Sequence, residues 1–148
     1  MKALVQRVRQ ASVTIENKIY SEIKQGFLVL LGVEKNDSEA EAVYLANKVA
    51  ALRVFEDEQG KMNLSVRDIG GSLLVVSQFT LAGDTSRGNR PGFETAARPE
   101  TALPLYEFFV QKLKNKGLPV ATGVFQADMQ VALVNDGPVT FMLEKHCE

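Results

Sequence analysis

Along much of the chain, apolar residues either alternate with polar ones or form short continuous runs. Both patterns predict β-strands. In residues 3–15, side chains that would face the two sides of a strand alternate, and many are β-branched. A short turn leads to a second strand that ends at Ile23, and another short turn leads to an apolar third strand. Alternating or continuous apolar runs of strand length are typical of β-sheets. The complete set of predicted strands is 3–15, 18–23, 27–33, 72–79, 120–125, 129–135 and 139–143, with a short edge segment at 61–66.

Helical spacing predicts two helices. Ser38 and Glu41 form a capping-box pattern, and apolar residues follow at the spacing of one helix face. The second helix is predicted from about Thr101 to Lys116, with Pro104 in its first turn, where proline is tolerated. Between the strand predicted at 72–79 and the second helix, residues 81–99 are predicted to form a long loop, and such loops are usually functional or mobile.

This order of elements contains no repeating β-α-β units. It predicts an α+β fold with a mainly antiparallel, curved or barrel-like β-sheet and two covering helices. The chain has no internal repeat, low-complexity tract or linker-like segment, so we expect residues 1–148 to form one domain.

Composition and charge narrow the functional classes. The chain has 45% hydrophobic and 24% charged residues, and its one cysteine, Cys147, cannot form an internal disulfide. The longest apolar stretch, 27–31, is far shorter than the roughly 20 residues of a membrane helix, and the start of the chain does not resemble a signal peptide. We therefore expect a soluble, cytoplasmic protein that does not bind membranes.

The net charge of −1 excludes a global attraction to polyanions. A nucleic-acid partner would need a local basic patch, and the candidates are the first ten residues and the arginine-bearing segment 84–98. Ordinary solvated surface charge is the alternative interpretation of both segments.

The chain lacks the residues that several common catalytic mechanisms require. The only histidine, His146, precedes Cys147 near the end of the chain, where a catalytic Cys/His pair is poorly placed. One His and one Cys do not make the common zinc ligand sets, and no phosphate-binding loop or dinucleotide fingerprint is present. We expect no metal and no cofactor, which leaves backbone amides, hydroxyls and groups of the substrate itself.

Two segments carry the remaining candidate chemistry. Residues 77–81, Ser-Gln-Phe-Thr-Leu, end a predicted strand where a loop begins, a favoured place for a site. In the alternative interpretation, Phe79 fills the core and its polar neighbours face solvent. Residues 135–140, Asn-Asp-Gly-Pro-Val-Thr, are predicted to form a turn between two strands. Gly137 allows close approach to its backbone, and Pro138 lacks an N–H, so the pair offers carbonyl acceptors suited to an ammonium group.

Both segments resemble the signature motifs of the D-aminoacyl-tRNA deacylase family, Ser-Gln-Phe-Thr-Leu and Asn-x-Gly-Pro-Val-Thr. The resemblance extends over nearly the whole chain and includes residues 6–8, 30–33, 55–57, 61–65, 123–125 and 127–129. It implies a homodimeric hydrolase that removes D-amino acids, and glycine, from the acceptor end of tRNA and spares L-aminoacyl-tRNA.

The resemblance also implies roles for particular residues. Ser77, Gln78, Phe79 and Thr80 would surround the scissile ester, with Phe79 near the terminal adenosine, whose 2′-OH assists catalysis. The Gly137–Pro138 bond would be cis and would enter the active site of the other subunit, where its carbonyls hold the α-amino group and exclude an L side chain.

Three further positions match the family. Phe125 and Met129 correspond to residues that line the pocket, and Arg7 to one that organises the Gly-Pro segment. Thr80 is a poor candidate for a nucleophile, because no visible base would activate it.

We expect Arg87 and Arg90 to contact the tRNA acceptor end through phosphates, with salt-sensitive binding, and we expect no DNA partner. Two other functions remain open: a non-catalytic tRNA-binding domain of the same fold, and an esterase that acts on another small acyl ester.

Overall fold

The computed structural model describes residues 1–147 and contains eight strands and two helices. Their bounds are β1 (Lys2–Ile15), β2 (Lys18–Ile23), β3 (Gly26–Gly32), α1 (Glu39–Ala51), β4 (Phe55–Glu56), β5 (Met62–Leu64), β6 (Ser72–Ser77), α2 (Pro99–Asn115), β7 (Val120–Thr122) and β8 (Gln130–Glu144). A 3-10 turn, Phe79–Ala82, follows β6. Neither helix within this range has the length and hydropathy needed to span a membrane.

The main sheet is strongly curved. Its strands run in the order β2-β1-β3-β6-β7, and β8 also pairs with β1. The pairings of β1 are antiparallel, whereas β3–β6 and β6–β7 are parallel. At the two ends of this order, the Ser21 hydroxyl on β2 donates to the Thr122 carbonyl on β7 at 2.7 Å. The predicted α+β fold with a barrel-like sheet and two helices is confirmed.

Both helices pack on this sheet and enclose a common core. Phe27 and Leu73 from the sheet, Leu45 from α1, and Phe109 and Leu113 from α2 are fully buried in one cluster. Burial of such side chains is the main stabilising contribution in a domain of this size.

The predicted start of α1 is confirmed. The Glu41 carboxylate accepts from the Ser38 N–H at 2.8 Å, and the Ser38 hydroxyl accepts from the Ala40 N–H at 3.3 Å. A capping box depends only on residues within one turn, so the sequence is sufficient to predict it.

The predicted bounds of three elements were wrong. The helix α2 begins at Pro99 rather than Thr101, so Pro104 lies in its second turn and not in the first. Proline suits the first helical position, because the N–H it lacks would have no partner there. The strands predicted over 72–79 and 120–125 end at Ser77 and Thr122.

The turn predicted at 135–140 was also wrong. The strand β8 is continuous, and these residues form a bulge within it. Val8 pairs with Asn135 and Gln6 with Thr140, so residues 136–139 lie opposite Arg7 alone. Because β1 offers pairing partners on both sides of this segment, the long-range ladder outweighs the local turn preference, and the extra residues leave the ladder as a bulge.

Candidate active site

A cavity of about 630 Å³ opens where β6 ends. Ser77, Gln78 and Phe79 line it from the end of β6, and Phe125 and Met129 line it from the segment after β7. The start of α2 closes another part of the wall through Pro99 and Ala102. Five residues singled out in the sequence, up to about 50 positions apart in the chain, therefore meet in one mostly apolar pocket, the usual character of a small-molecule site.

The 3-10 turn after β6 presents backbone donors beside this cavity. Gln78 N–H donates to the Leu31 carbonyl at 2.8 Å, and Leu81 N–H donates to the Gln78 carbonyl at 3.3 Å. Between them, the N–H groups of Phe79 and Thr80 have no acceptor among residues 1–147. The first N–H groups of a helical turn lack internal partners, which leaves these two able to bind a substrate oxygen.

The Thr80 hydroxyl is engaged by an amide and not by a base. Gln78 Nε2 donates to Thr80 Oγ1. Thr80 is exposed and is not among the residues that line the cavity. A neutral carboxamide does not accept a proton from a hydroxyl, so this contact positions Thr80 without activating it.

The cavity wall contains one ionisable side chain, Asp128, which is exposed to solvent. In the described part of the chain, no His, Cys, Asp and Glu side chains are grouped so as to hold a metal ion. The lining therefore shapes and polarises a ligand, and its only candidate acid or base is a carboxylate at the solvent boundary.

Tyr106 on α2 supports the pocket from beneath, and sequence reasoning missed it. Its hydroxyl donates to the Val75 carbonyl at 2.7 Å, and its ring centroid lies 6.2 Å from that of Phe125. Burial raises the pKa of the Tyr106 hydroxyl, so the group stays protonated and remains a donor. A tyrosine on the apolar face of a helix is the signal that points to such a buried hydroxyl.

The Gly137–Pro138 pair lies on the surface and outside the cavity of its own chain. Its peptide bond is cis, and both residues are exposed. Gly137 has a φ of +127°, and a Cβ there would lie 2.8 Å from Val139 Cγ2 and 3.0 Å from Arg7 Nη2. Backbone conformation and available space thus both favour glycine at this position.

Arg7 connects this segment to the body of the protein. Arg7 is 6% exposed. Its Nε donates to the Asp136 carbonyl at 2.9 Å and its Nη1 to the Val54 carbonyl at 2.6 Å. The guanidinium group therefore joins the bulge of β8 to the chain just before β4, although Arg7 does not line the cavity.

Arg87 and Arg90 lie on a separate arm, residues 84–92. Asp84 and Gly92 exchange two backbone hydrogen bonds, of 2.7 and 2.9 Å, which close the arm at its base. Both arginines are exposed and border a second cavity of about 390 Å³ that also includes Asp84 and Glu94. Hydrogen bonds from Ser86 hold the pKa of the Asp84 carboxyl below its usual value, so this acid is charged at neutral pH.

The chain is similar to D-aminoacyl-tRNA deacylases over nearly its whole length. The D-aminoacyl-tRNA deacylase of Pelobacter propionicus is 61% identical over 98% of this chain and 100% of its own length. The D-aminoacyl-tRNA deacylase of Koribacter versatilis is 60% identical over 100% of this chain and 99% of its own length.

Two solved structures are similar. The c-Myc DNA unwinding element binding protein has a TM-score of 0.93 at 43% identity, over 99% of this chain and 100% of the other. A probable eukaryotic D-amino acid tRNA deacylase has a TM-score of 0.80 over 96% of this chain and 97% of the other, and at 15% identity it supports the fold alone. The model of the D-Tyr-tRNA(Tyr) deacylase family matches residues 4–144, and with relatives of this identity over their full length, the chain belongs to that family.

Proposed function

We propose that the protein hydrolyses the ester between a D-amino acid and the terminal adenosine of tRNA, releasing the free amino acid and the tRNA. The observation that carries this proposal is the cavity after β6, where the family motif at 77–79 meets Phe125 and Met129. The turn that follows the motif has two backbone N–H groups, of Phe79 and Thr80, without an acceptor among residues 1–147. A pocket of this size accommodates an aminoacyl group together with part of a nucleoside.

The chemical step uses backbone donors and a hydroxyl of the substrate. Water adds to the ester carbonyl carbon, and the N–H groups of Phe79 and Thr80 stabilise the negative charge that develops on the carbonyl oxygen. The bond from that carbon to the ribose oxygen then breaks, and a proton passes to the departing oxygen through the neighbouring 2′-OH. This route suits a cavity that has no histidine, cysteine or lysine among the residues 1–147 that line it.

The functional unit in this proposal is a homodimer. Among residues 1–147, the strand β8 pairs only with β1, so its other edge has no partner strand there. It exposes Val134, Phe141 and Met142, and β2 exposes Ile19 and Tyr20. An open sheet edge with exposed apolar side chains is suited to association with a second copy of the chain.

The partner subunit would supply the chiral selection. Gly137 and Pro138 are exposed and do not line the cavity of their own chain, so we infer that they complete the cavity of the other subunit. There, their carbonyls would accept from the α-ammonium group of the substrate. An L side chain would then collide with the Gly-Pro backbone, a discrimination by exclusion. Glycine has no side chain to exclude, so glycyl-tRNA is also expected to be hydrolysed.

Arg87 and Arg90 would contact phosphates of the acceptor end. The arm that carries them follows directly from the 3-10 turn, and both guanidinium groups are exposed. We propose tRNA as the nucleic-acid partner and the cytoplasm as the place of action. The name of the solved relative with 43% identity refers to DNA, so duplex DNA belongs in the test as a competitor.

The test follows loss of the ester from D-Tyr-tRNA and L-Tyr-tRNA incubated with the protein. The proposal predicts rapid loss from the D form and loss from the L form at the spontaneous rate, with no inhibition by excess duplex DNA. No hydrolysis of either form would contradict the proposal and favour a non-catalytic tRNA-binding domain. Equal rates for both forms would favour an unspecific esterase.

A further inference from the structure

Two phenylalanine rings are exposed beside the cavity and contact each other. The ring centroids of Phe79 and Phe93 are 5.2 Å apart, with an edge-to-face angle of 64°. Phe79 is 55% exposed and Phe93 39% exposed, whereas Phe27, Phe55 and Phe109 are buried in the core. Exposed aromatic surface next to a site is typical of a binding surface.

The position of Phe93 is fixed by the surrounding backbone. A Cβ at Gly83 would lie 3.1 Å from Phe93 Cε1, so glycine allows the ring to pack directly on the chain. On one side, the hydrogen bonds between Asp84 and Gly92 close the arm. On the other side, the Thr95 hydroxyl donates to the Ala82 carbonyl at 3.1 Å. Phe93 therefore lies at the anchored base of the arm and not in a free loop.

Charge on the arm complements a nucleic-acid backbone. Arg87 and Arg90 are exposed a few residues before Phe93. Of the acids that share their cavity, Asp84 accepts a hydrogen bond from the Ser86 N–H at 2.9 Å and Glu94 is exposed. An aromatic face next to guanidinium groups is the usual means of binding unpaired nucleotides, because bases stack on the ring while cations contact phosphates.

We propose that Phe93 is a substrate-binding residue that stacks on the unpaired nucleotide preceding the terminal adenosine of the tRNA. Phe79 remains beside the adenosine, and Arg87 and Arg90 contact the phosphates between these nucleotides. The inference rests on the proposed deacylase function and extends its site from one nucleoside to the single-stranded end of the RNA.

The experiment compares Phe93→Leu with the wild-type protein on two substrates. D-Tyr-tRNA contains the preceding nucleotides, whereas D-tyrosyl-adenosine does not. We expect the substitution to raise KM for D-Tyr-tRNA about tenfold, within the range that one stacked base contributes, with kcat unchanged. For D-tyrosyl-adenosine, both parameters should remain at the wild-type values. Phe93→Trp keeps an aromatic face and should restore KM for the tRNA.

Tyr44→Leu is the matched control, because Tyr44 is an aromatic residue of similar exposure on α1. It should leave both KM values unchanged. An unchanged KM for D-Tyr-tRNA in Phe93→Leu would overturn the inference. An equal loss of activity on both substrates would also overturn it, since that result indicates a structural role. A shift of Phe93→Leu to monomer in sedimentation would assign the ring to a subunit interface instead.

Failure of the deacylase proposal would give a different result. In that case the wild-type protein would hydrolyse neither D-substrate, and the test of Phe93 becomes direct binding of a short single-stranded RNA that ends in CCA. At least about tenfold weaker binding by Phe93→Leu, with recovery in Phe93→Trp, would sustain the stacking role. Equal binding by all three proteins would remove it.

Discussion

Gln78 and Thr80 contact each other at the edge of the cavity, and this contact limits what each side chain can do. The amide of Gln78 donates to the Thr80 hydroxyl, and among residues 1–147 no hydrogen bond joins either side chain to a carboxylate or another base. A hydroxyl in this environment orients its neighbours but is a poor nucleophile. The backbone N–H groups of Phe79 and Thr80 are therefore more important for the proposed reaction than the Thr80 side chain.

Substitution of Thr80 by valine tests this assignment. Thr80→Val keeps the shape of the side chain and removes its hydroxyl. We expect kcat in single-turnover hydrolysis of D-Tyr-tRNA to fall by no more than about fivefold, because the backbone donors remain. A loss of about a thousandfold with unchanged substrate binding would identify Thr80 as the nucleophile.

The backbone at Gly137 is restricted in a way that can be tested separately. Gly137→Ala places a Cβ close to Val139 and Arg7 at a φ of +127°. We expect a loss of stability of about 1–3 kcal/mol by urea unfolding and a fall of more than tenfold in kcat/KM for D-Tyr-tRNA. Gly60→Ala is the control, since Gly60 has a φ of +74° and no atom within 4 Å of its Cβ position. If both variants lose the same activity, the space around Gly137 is irrelevant to catalysis.

At the scale of elements, the bulge of β8 depends on one buried arginine from β1. Arg7 donates to the carbonyls of Asp136 and Val54, and methionine at this position would leave both acceptors without a donor. We expect Arg7→Met to reduce the free energy of unfolding by about 2–4 kcal/mol, and to reduce deacylation by loosening the Gly-Pro segment.

Arg9→Met is the matched control. Arg9 is 76% exposed and lies 3.7 Å from the Asp136 carboxylate. Exposed ion pairs contribute little to stability, so the free energy of unfolding should change by less than about 1 kcal/mol. Similar unfolding curves for Arg7→Met and Arg9→Met would contradict the proposed role of the buried contacts.

The arm at 84–92 provides a prediction on salt dependence. Arg87→Gln combined with Arg90→Gln should raise KM for D-Tyr-tRNA and lower the slope of log KM against log salt by about 1–2, because up to two phosphate contacts are lost. Lys61→Gln combined with Lys114→Gln makes the same charge change at exposed positions elsewhere and should have a smaller effect. An unchanged KM at low and moderate salt would exclude the arm from the RNA interface.

Elements that depend on nearby residues could be predicted from the sequence, and elements that depend on distant pairing could not. The capping box of α1 lies within one turn and was predicted correctly. The bulge of β8 was mistaken for a turn, because its conformation follows from pairing with β1 on both sides of Arg7. The start of α2 was predicted two residues late, because the sequence pattern does not define the terminal residue of a helix.

In the candidate site, too, residues of a local motif could be predicted, and residues that depend on distant contacts could not. The motif at 77–81 was sufficient to predict Ser77, Gln78 and Phe79 as candidate site residues, and all three line the cavity after β6. Sequence reasoning missed Phe93, because its significance comes from contact with Phe79 across the intervening turn and from the absence of a Cβ at Gly83. A phenylalanine in a loop has no periodic pattern that would reveal such a contact.

At the scale of the whole molecule, the proposed active site is divided between two chains. In this proposal, one subunit contributes the cavity after β6 and the other contributes the exposed Gly137–Pro138 pair. The open edge of β8 and its exposed Phe141 and Met142 provide apolar surface for the association. A monomer would then contain both parts of the site without being able to bring them together.

Mixed dimers distinguish an active site shared between subunits from one contained in a single subunit. One variant combines Gln78→Ala with Phe79→Ala and damages the cavity after β6. The other combines Gly137→Ala with Pro138→Ala and damages the Gly-Pro segment that would complete the cavity of the partner. Each homodimer should be inactive on D-Tyr-tRNA. After co-refolding at equal amounts, random pairing makes half of the dimers mixed, each with one of its two sites intact. We therefore expect recovery of about a quarter of the wild-type rate. Activity of the mixture no higher than the mean of the two homodimers would contradict an active site shared between subunits.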